Sequence, residues 1–322
     1  MQNLAKKLSL LAMCALMVTV FTGCITIGAG PNRQDLSKMI AANFPKVVSI
    51  ETFNTDAPRA SLQSRGSGVI IYSGSDFSLI ATNHHVISYF DAEKEQYAFY
   101  NFIDIINWST CLLLGKYDTA LVAGNLDVLK HYTTRVQIAT AGVPETSVLV
   151  HAVEKEDLAI IKVTFTHENA AVFENQAATL RQTPLRVGEP IAALGYSFGE
   201  FHRASVGIVS QVFPTRSFEE QIAVPGKSQP IRVTRTFEHA FMHDATTIFG
   251  NSGGPVFDAK GELVGLTTLT VMVCCSECKR PPAGGAIVHH CEVPAFGYSI
   301  ALSARHIANV VNSNLVEFGI SK

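Results

Sequence analysis

The stretch that decides the fold is Gly250-Asn251-Ser252-Gly253-Gly254-Pro255. It places a serine between glycines, which adopt backbone conformations closed to other residues and leave neighbouring amides uncovered. Such a loop can point a nucleophilic hydroxyl outward and aim the amides of Gly250 and Ser252 at an oxyanion that forms on an attacked carbonyl. The hexamer alone also fits a glycine turn that happens to contain a serine. Residues upstream decide between the two interpretations.

Length and composition allow one large β domain or two smaller units. The chain has 322 residues and a formal net charge of −2, with no run rich in lysine or arginine. This argues against nucleic acid as the main partner. Glycines and prolines punctuate the middle of the chain at short intervals, and helical periodicity is confined to the two ends. The pattern predicts an all-β fold with many short strands.

The N-terminus predicts an export signal. Lys6 and Lys7 precede the apolar run Leu8–Val20, which is short for a membrane span. The run leads into Thr22-Gly23-Cys24, which resembles the lipobox of bacterial lipoproteins, with Phe21 where leucine is usual. The resemblance implies a lipoprotein signal peptide at 1–23 and a lipid anchor on Cys24 in the bacterial envelope, facing the periplasm or the cell exterior. Secretion with cleavage elsewhere and an uncleaved anchor are the alternatives.

Two upstream motifs carry a candidate general base. Gly66-Ser67-Gly68 leads into a predicted strand, and Thr82-Asn83-His84-His85-Val86 lies where the next strand runs into a turn. Together they resemble the trypsin-like serine proteases of the high-temperature-requirement (HtrA/Deg) family, in which the histidine before the valine is the general base. The resemblance gives this role to His85 and leaves His84 at a variable position. A lone histidine would otherwise more often be structural.

The candidate acid lies in Glu156-Asp157-Leu158-Ala159-Ile160-Ile161-Lys162. The family presents its acid in this way, at the start of a buried strand. The resemblance implies that Asp157 accepts a hydrogen bond from His85, fixes its tautomer and stabilises the imidazolium. Ser252 also fits the G-x-S-x-G nucleophile elbow of α/β-hydrolases, but there the serine precedes the acid and the histidine. The order His85, Asp157, Ser252 argues against that fold.

The resemblance covers roughly Lys46 to Gly319 with gaps, and it implies the architecture. We expect two six-stranded antiparallel β-barrels of the chymotrypsin/trypsin type and a short C-terminal helix. The expected segments are a linker or N-terminal segment at 24–42 and a protease domain at 43–322, with barrels at about 46–170 and 183–302 and the helix at about 303–318. We expect no PDZ domain, which many relatives carry. The segment 88–150 is longer than the corresponding segment of compact relatives, which predicts an insertion.

The activity implied by the resemblance is that of an exported serine endopeptidase, in envelope protein quality control or processing. Ser252 would be the nucleophile, His85 the base and Asp157 the acid, with the amides of Gly250 and Ser252 as the oxyanion hole. The partners would be polypeptide substrates and, through Cys24, the membrane; no cofactor is expected and oligomerisation stays open. The alternative is a catalytically silent scaffold that acts as a binding protein or chaperone.

Two further features bear on specificity and activation. Thr246 and Thr267 are predicted to line the primary specificity pocket, and a pocket without an acid favours small or medium apolar side chains. Asn251 stands where digestive trypsin-like enzymes have an aspartate that pairs with a new N-terminus, so activation by that ion pair is not expected. The polar segment from Glu219 to Arg232 is predicted to be a loop near the site.

A cysteine-rich segment lies between two predicted strands of the second barrel. Its residues are Cys274, Cys275, Cys278 and Cys291, with His289 and His290. In an exported protein we expect disulfides here. A zinc site built from Cys275, Cys278, His289 and Cys291 is an alternative that is not favoured, and free thiols are another. Cys111 has no evident partner in the sequence.

Overall fold

A computed structural model describes residues 33–54, 62–91, 93–94, 96–107, 133–138, 147–164, 176–197, 201–222, 231–274 and 292–320. The chain divides into two compact units, Met1–Ser37 and Lys38–Lys322. The predicted signal peptide at 1–23 and the lipidation site Cys24 lie outside the described residues. All strands given below belong to the second unit.

Helices are few in these ranges. They are α1 (Arg33–Asn43), α2 (His84–Ile87), α3 (Ala304–Ser313) and α4 (Leu315–Phe318), with 3₁₀ turns at Phe44–Lys46 and Glu154–Glu156. None of these helices, as far as the structure describes them, is long and apolar enough to cross a membrane. The predicted C-terminal helix is interrupted, since α3 ends at Ser313 and α4 begins at Leu315. Ser303 Oγ caps α3 by accepting a hydrogen bond from Arg305 N at 3.2 Å.

The described chain is mostly β-strand. The strands are β1 (Val47–Phe53), β2 (Leu62–Ser73), β3 (Phe77–Thr82), β4 (Ser88–Asp91), β5 (Gln96–Phe99), β6 (Phe102–Ile106), β7 (Thr133–Ile138), β8 (Ser147–Val153), β9 (Leu158–Thr164), β10 (Pro190–Ser197), β11 (Phe201–Val212), β12 (Thr215–Ile222), β13 (Ile231–Glu238), β14 (Ala240–His243), β15 (Pro255–Asp258), β16 (Leu263–Cys274) and β17 (Glu292–Ser303). This confirms the predicted β-rich class.

The first sheet has the strand order β1-β2-β3-β9-β8-β7-β6, and β6 pairs back onto β1. Within the described ranges it therefore contains seven strands, and β7 and β8 run parallel where Gln137 faces Ser147. The prediction of six antiparallel strands was wrong for this sheet. The region 88–150, predicted as an insertion, supplies β6, β7 and the start of β8. Polar and apolar residues alternate in Arg135-Val136-Gln137-Ile138 of β7, but such alternation does not identify the strand that pairs with it.

The second sheet is a closed barrel with the strand order β10-β11-β14-β17-β16-β15. All of its pairings are antiparallel. The predicted six-stranded antiparallel barrel is therefore confirmed for this half of the chain.

Each sheet surrounds its own apolar core. The first core includes Val48, Ile50, Ile70, Ile80 and Ile161, and the second includes Ile191, Val209, Phe241, Val256 and Ala301. Burying one such aliphatic or aromatic side chain contributes about 1.5–3 kcal/mol. These cores fix the strand ends from which the loops of the candidate site extend.

Two hairpins lie outside the two large sheets: β4 with β5, and β12 with β13. The second hairpin corrects one expectation. The segment from Glu219 to Arg232 is not a loop throughout, because its two ends belong to β12 and β13, and only residues 223–230 fall outside the described chain. Alternation of β-branched and polar residues in Ile231-Arg232-Val233-Thr234 suits a strand.

Candidate active site

The segment Asn83–His85 forms hydrogen bonds with both the side chain and the backbone of Asp157. His85 Nδ1 lies 2.8 Å from Asp157 Oδ2, and His85 N donates to Asp157 Oδ1 at 3.0 Å. The backbone carbonyl of Asp157 accepts from His84 N at 3.1 Å and from Asn83 Nδ2 at 3.0 Å. Four hydrogen bonds therefore hold Asn83 and the first two residues of α2 against this single residue. The structure brings together His85 and Asp157, the two residues that the sequence predicted as base and acid.

Local backbone geometry presents the carboxylate of Asp157. The 3₁₀ turn Glu154–Glu156 ends at Asp157, which has a left-handed φ of 53° and donates its N–H to Glu154 O at 3.1 Å. Strand β9 begins at the next residue, Leu158, and its apolar side chains are buried in the first core. A non-glycine residue rarely adopts this conformation, and at functional sites it persists because the surroundings over-determine it.

The carboxylate of Asp157 is buried, with 0% of its side chain exposed, whereas His85 keeps 32% of its side chain exposed. Burial alone would raise the pKa of Asp157. The charges of His85 and Arg235 and the hydrogen bonds from His85 outweigh burial and hold this pKa below its ordinary value. The Asp157 carboxylate is therefore ionised and can accept a hydrogen bond from Nδ1 of His85.

Arg235 is the site residue that sequence reasoning missed. It lies on β13, and its Nη1 donates to Asp157 Oδ1 at 3.1 Å, while its Nη2 donates to Tyr97 Oη at 3.1 Å. Its side chain is only 3% exposed. One signal was available in the sequence: Ile231, Val233, Arg235 and Phe237 alternate along β13, which places an arginine in a row of otherwise apolar positions.

His84 has different surroundings from His85. Its Nδ1 lies 3.0 Å from Ser88 Oγ, and its ring packs edge-on against Tyr97 and Phe99. Burial lowers the pKa of His84 from 6.5 to about 4. His84 is therefore a neutral, packed side chain at physiological pH. This geometry supports the assignment of the base to His85, which stays a prediction about catalysis.

The Ser252 loop is anchored to the first sheet through Ser67. The backbone N–H of Ser67 donates to Ser252 O at 2.7 Å, and its hydroxyl donates to Gly250 O at 2.7 Å. The same hydroxyl accepts from Tyr196 N at 2.8 Å, so Ser67 joins β2, β10 and the loop. A Cβ at Gly66 would collide with Val86, the residue that follows His85. Contacts through Gly66 and Ser67 thus bring the Ser252 backbone close to the His85 turn.

Two glycines of the Ser252 loop have left-handed backbone conformations. Gly250 has φ +93° and Gly253 has φ +77°. A Cβ at Gly253 would collide with Ser67 O and Thr82 Oγ1. Among the described residues, the amides of Gly250 and Ser252 donate to no acceptor of the protein. These are the two amides that the sequence predicted as oxyanion donors.

Asn251 is anchored by a neutral partner. It is 1% exposed, and its Oδ1 accepts a hydrogen bond from Ser197 Oγ at 2.9 Å. In digestive trypsin-like enzymes an aspartate at this position pairs with the ammonium of a new N-terminus. In this chain the side-chain oxygen of Asn251 instead accepts a hydrogen bond from the Ser197 hydroxyl. That activation needs no N-terminal ion pair stays a prediction.

The predicted pocket threonines lie on either side of the Ser252 loop along the chain. Thr267 on β16 exchanges two backbone hydrogen bonds of 2.8 Å with Gly253 and Gly254, and its hydroxyl is buried with no hydrogen-bond partner among the described residues. Thr246 is half-buried, and its carbonyl accepts from Ser205 Oγ at 2.6 Å. Thr267 therefore lies directly beside the loop. The pocket role of both residues stays a prediction.

Side chains that could ligate a metal are found in one described cluster, formed by Glu156, Glu238 and His306. Their ligand atoms lie within 4.8 Å of one another, and His306 Nε2 pairs with Glu156 Oε2. The residues of the alternative zinc site, Cys275, Cys278, His289 and Cys291, lie outside the described residues. Cys111 and the rest of the segment 275–291, which holds the other cysteines near Cys274, also lie outside them.

Comparison with known proteins adds the family context. Residues 66–266 match the family model described as the trypsin-like peptidase domain. The chain is 30% identical over 245 residues to the probable periplasmic serine endoprotease DegP-like of Pseudomonas putida (strain GB-1), covering 76% of this chain and 37% of that protein. It is 30% identical over 123 residues to the protein of the same name from Hahella chejuensis (strain KCTC 2396), covering 38% of this chain and 22% of that protein.

The similarity extends to solved structures. The structure described as HtrA-type protease AlgW with tripeptide is 20% identical, covers 88% of this chain and 64% of that chain, and gives a TM-score of 0.48. This chain spans well under half the length of the two curated relatives.

Proposed function

Because this chain belongs to the trypsin-like peptidase family, with HtrA/Deg serine proteases as its curated relatives, we propose that it is a serine endopeptidase with His85, Asp157 and Ser252 as its catalytic triad. The single observation that carries the proposal is the set of four hydrogen bonds between Asp157 and the segment Asn83–His85. This arrangement directs an ionised carboxylate at His85 Nδ1. The opposite ring nitrogen, Nε2, is then the basic one.

The reaction follows from these groups. Ser252 Oγ attacks the carbonyl carbon of the scissile peptide bond while its proton moves to His85 Nε2. The amides of Gly250 and Ser252 stabilise the resulting oxyanion, and the loss of one such donor typically costs about 100- to 1000-fold in turnover. His85 then protonates the leaving amine. Water, deprotonated by the same imidazole, hydrolyses the acyl-enzyme and restores Ser252.

The proposal includes the trypsin-type pairing of two barrels, with the site supported from both halves of the chain. Ser67 on β2 and Tyr196 on β10 meet at the Ser252 loop through the hydroxyl of Ser67. The closed six-stranded second barrel supports this part of the proposal. The first sheet would then be a variant of the first barrel with an additional strand.

The proposed substrates are polypeptides with small or medium apolar residues before the cleaved bond. Thr246 and Thr267 would line the pocket, and neither carries a charge that would select lysine or arginine. Phe249, next to Gly250, is 73% exposed and offers an apolar surface at the edge of the site. The bacterial envelope as location rests on the predicted signal peptide and Cys24 anchor, and on the periplasmic relatives.

Hydrolysis of an unfolded protein tests the proposal. Wild-type protein should cleave reduced, unfolded casein, and the Ser252→Ala variant should not, while both unfold at the same temperature. Ser78→Ala is a matched control, because it removes a buried serine hydroxyl that bonds Ser73 Oγ rather than a residue of the proposed site. Equal cleavage by Ser252→Ala and wild type would refute the proposal. A pure wild-type protein without any cleavage would favour a silent binding scaffold.

A further inference from the structure

We propose that Arg235 is a positioning residue for the catalytic pair: from the β12–β13 hairpin it fixes the orientation and charge balance of Asp157 and His85. The inference rests on the proposed function, because it takes His85 and Asp157 as base and acid. It adds a fourth side chain to the proposed triad, supplied by a segment outside both large sheets.

The guanidinium of Arg235 joins three groups. Its Nη1 lies 3.1 Å from Asp157 Oδ1 and 3.4 Å from Glu154 O, and its Nη2 lies 3.1 Å from Tyr97 Oη. The guanidinium carbon also lies 5.4 Å from the centroid of the Tyr97 ring, within the range of a cation–π contact. Arg235 therefore ties the β12–β13 hairpin to the turn that carries Asp157 and to the β4–β5 hairpin that follows His85.

The two carboxylate oxygens of Asp157 have separate duties. Oδ2 faces His85 Nδ1, and Oδ1 accepts from His85 N and from Arg235 Nη1. The carboxylate is fully buried. A buried carboxylate oxygen without enough hydrogen-bond donors lowers the stability of the fold. Arg235 supplies both a donor and a compensating positive charge. Without it, Oδ1 would keep one backbone donor, and the plane of the carboxylate would be less firmly held against the imidazole.

The charge of Arg235 also acts on His85. A guanidinium beside the acid reduces the net negative field at the imidazole, so it disfavours the imidazolium. Other charged or titratable groups next to the pair are His84 on α2, Tyr97 on β5, and Glu154, Lys155 and Glu156 in the 3₁₀ turn. Glu238 on β13 and His306 on α3 cluster with Glu156. Of the groups that touch the carboxylate of Asp157 in the described chain, Arg235 is the one that carries a permanent positive charge.

A lysine could not reproduce this arrangement fully. The planar guanidinium reaches Asp157 Oδ1 and Tyr97 Oη with two different nitrogens held in one fixed fork, whereas an ammonium is a single point charge. Charge and geometry can therefore be separated by substitution. Arg235→Lys keeps the positive charge but loses the paired contacts of the guanidinium with Asp157 and Tyr97. Arg235→Gln loses the charge, and its shorter side chain loses most of these contacts as well.

The experiment compares Arg235→Gln, Arg235→Lys and the control Arg232→Gln in the full chain. Arg232 is exposed on the same strand, three positions away and so on the opposite face. The kinetic constants kcat and KM for a fluorogenic peptide are measured across pH, with thermal unfolding in parallel. For Arg235→Gln we expect kcat to fall about 10- to 100-fold with KM within about twofold of wild type, the pattern of an interaction that acts in the transition state.

The pH profile separates positioning from simple structural support. Removing the positive charge makes His85 easier to protonate, so the acid limb of kcat/KM should move to higher pH by roughly half to one unit in Arg235→Gln. In Arg235→Lys the acid limb should stay at its wild-type position while kcat falls. Arg232→Gln should match wild type in both. A folded Arg235→Gln variant with wild-type kcat and an unmoved acid limb would overturn the inference; where Arg235→Gln does not fold, wild-type kcat in Arg235→Lys overturns it.

A spectroscopic measurement keeps this test independent of turnover. The titration of the His85 ring is followed by NMR in Ser252→Ala, with and without Arg235→Gln. We expect the apparent pKa of His85 to rise on loss of Arg235, whether or not the protein cleaves peptides. An unchanged titration refutes the role of Arg235, whereas absent cleavage with a shifted titration refutes the proposed protease activity alone.

Discussion

The hydroxyl of Ser67 donates a hydrogen bond of 2.7 Å to the carbonyl oxygen of Gly250, although the two residues lie 183 positions apart in the sequence. The same hydroxyl accepts the N–H of Tyr196 at 2.8 Å. A single buried side chain of the first sheet therefore fixes the residue that we propose as an oxyanion donor. The Ser252 loop is shaped by contacts with the other half of the chain as well as by its own glycines.

Replacing Ser67 by alanine should lower turnover more than substrate binding. Ser67→Ala leaves Gly250 O and Tyr196 N without their buried partner, which costs about 1–3 kcal/mol per unsatisfied group. Since Gly250 then moves more freely, we expect kcat to fall at least about 10-fold with a smaller change in KM. Ser78→Ala is the matched control, because Ser78 is a buried serine of the same sheet whose hydroxyl faces Ser73. Equal kcat values for the two variants would contradict the role given to Ser67.

Gly253 should tolerate no side chain. Its φ of +77° is strained for other residues, and a Cβ there would meet Ser67 O and Thr82 Oγ1, backbone and side-chain atoms of a buried strand pair. Gly253→Ala should therefore destabilise the fold by more than about 3 kcal/mol and abolish cleavage. Gly188 has a similar φ of +87° but nothing within 4 Å of the added Cβ, so Gly188→Ala isolates the backbone strain.

Gly188→Ala should cost only about 1 kcal/mol and leave kcat unchanged. Chemical denaturation of the two variants gives the comparison. If Gly253→Ala were no less stable than Gly188→Ala, the close approach of the Ser252 loop to the Thr82 strand would be refuted.

Buried histidines should make stability depend on pH. Burial lowers the pKa of His243 from 6.5 to about 4, and neither ring nitrogen has a hydrogen-bond partner in the described chain. Between these values the unfolded chain binds a proton that the folded chain does not, so protons favour unfolding. The stability is present in full above pH 6.5 and is lost as the pH falls towards 4. His84 contributes in the same direction, since its pKa is also lowered to about 4.

His243→Leu removes one of these contributions. Its free energy of unfolding should therefore fall less steeply than that of wild type over this pH range, by roughly 2–3 kcal/mol in total. His151→Gln is the control, because His151 is only partly buried and faces Glu317 at the surface. Parallel stability curves for wild type and His243→Leu would show that His243 does not remain neutral in the folded protein.

Local motifs predicted the contact between His85 and Asp157, because each partner is carried by a few consecutive residues. Thr82–Val86 and Glu156–Leu158 were expected to bring His85 to Asp157, and the structure places their atoms within 2.8 Å. The strand order of the first sheet was not predictable in this way, because alternation such as Arg135-Val136-Gln137-Ile138 in β7 indicates a strand but not its pairing partner. Short strands that pair in parallel over two residues leave little trace in the sequence.

The partner of Arg235 could not be predicted from the sequence. Its partner Asp157 lies 78 positions away, and the pairing depends on how the β12–β13 hairpin folds back over the 3₁₀ turn. The arginine among alternating apolar residues of β13 indicated a buried charge, but only the fold identifies its partner. Likewise, His84 and His85 are equivalent in type and differ only in what each ring faces.

The central claim is that Ser252 is a nucleophile activated by His85 and oriented through Asp157. A fluorophosphonate probe tests this most directly, with the labelled residue located by peptide mass spectrometry in wild type, His85→Ala, His84→Ala and Ser252→Ala. We predict labelling of wild type at Ser252, strongly reduced labelling in His85→Ala and none in Ser252→Ala. His84→Ala should retain labelling in whatever fraction of the protein is folded. Labelling of folded wild type at another residue, or labelling of Ser252 that survives His85→Ala unchanged, would contradict the account.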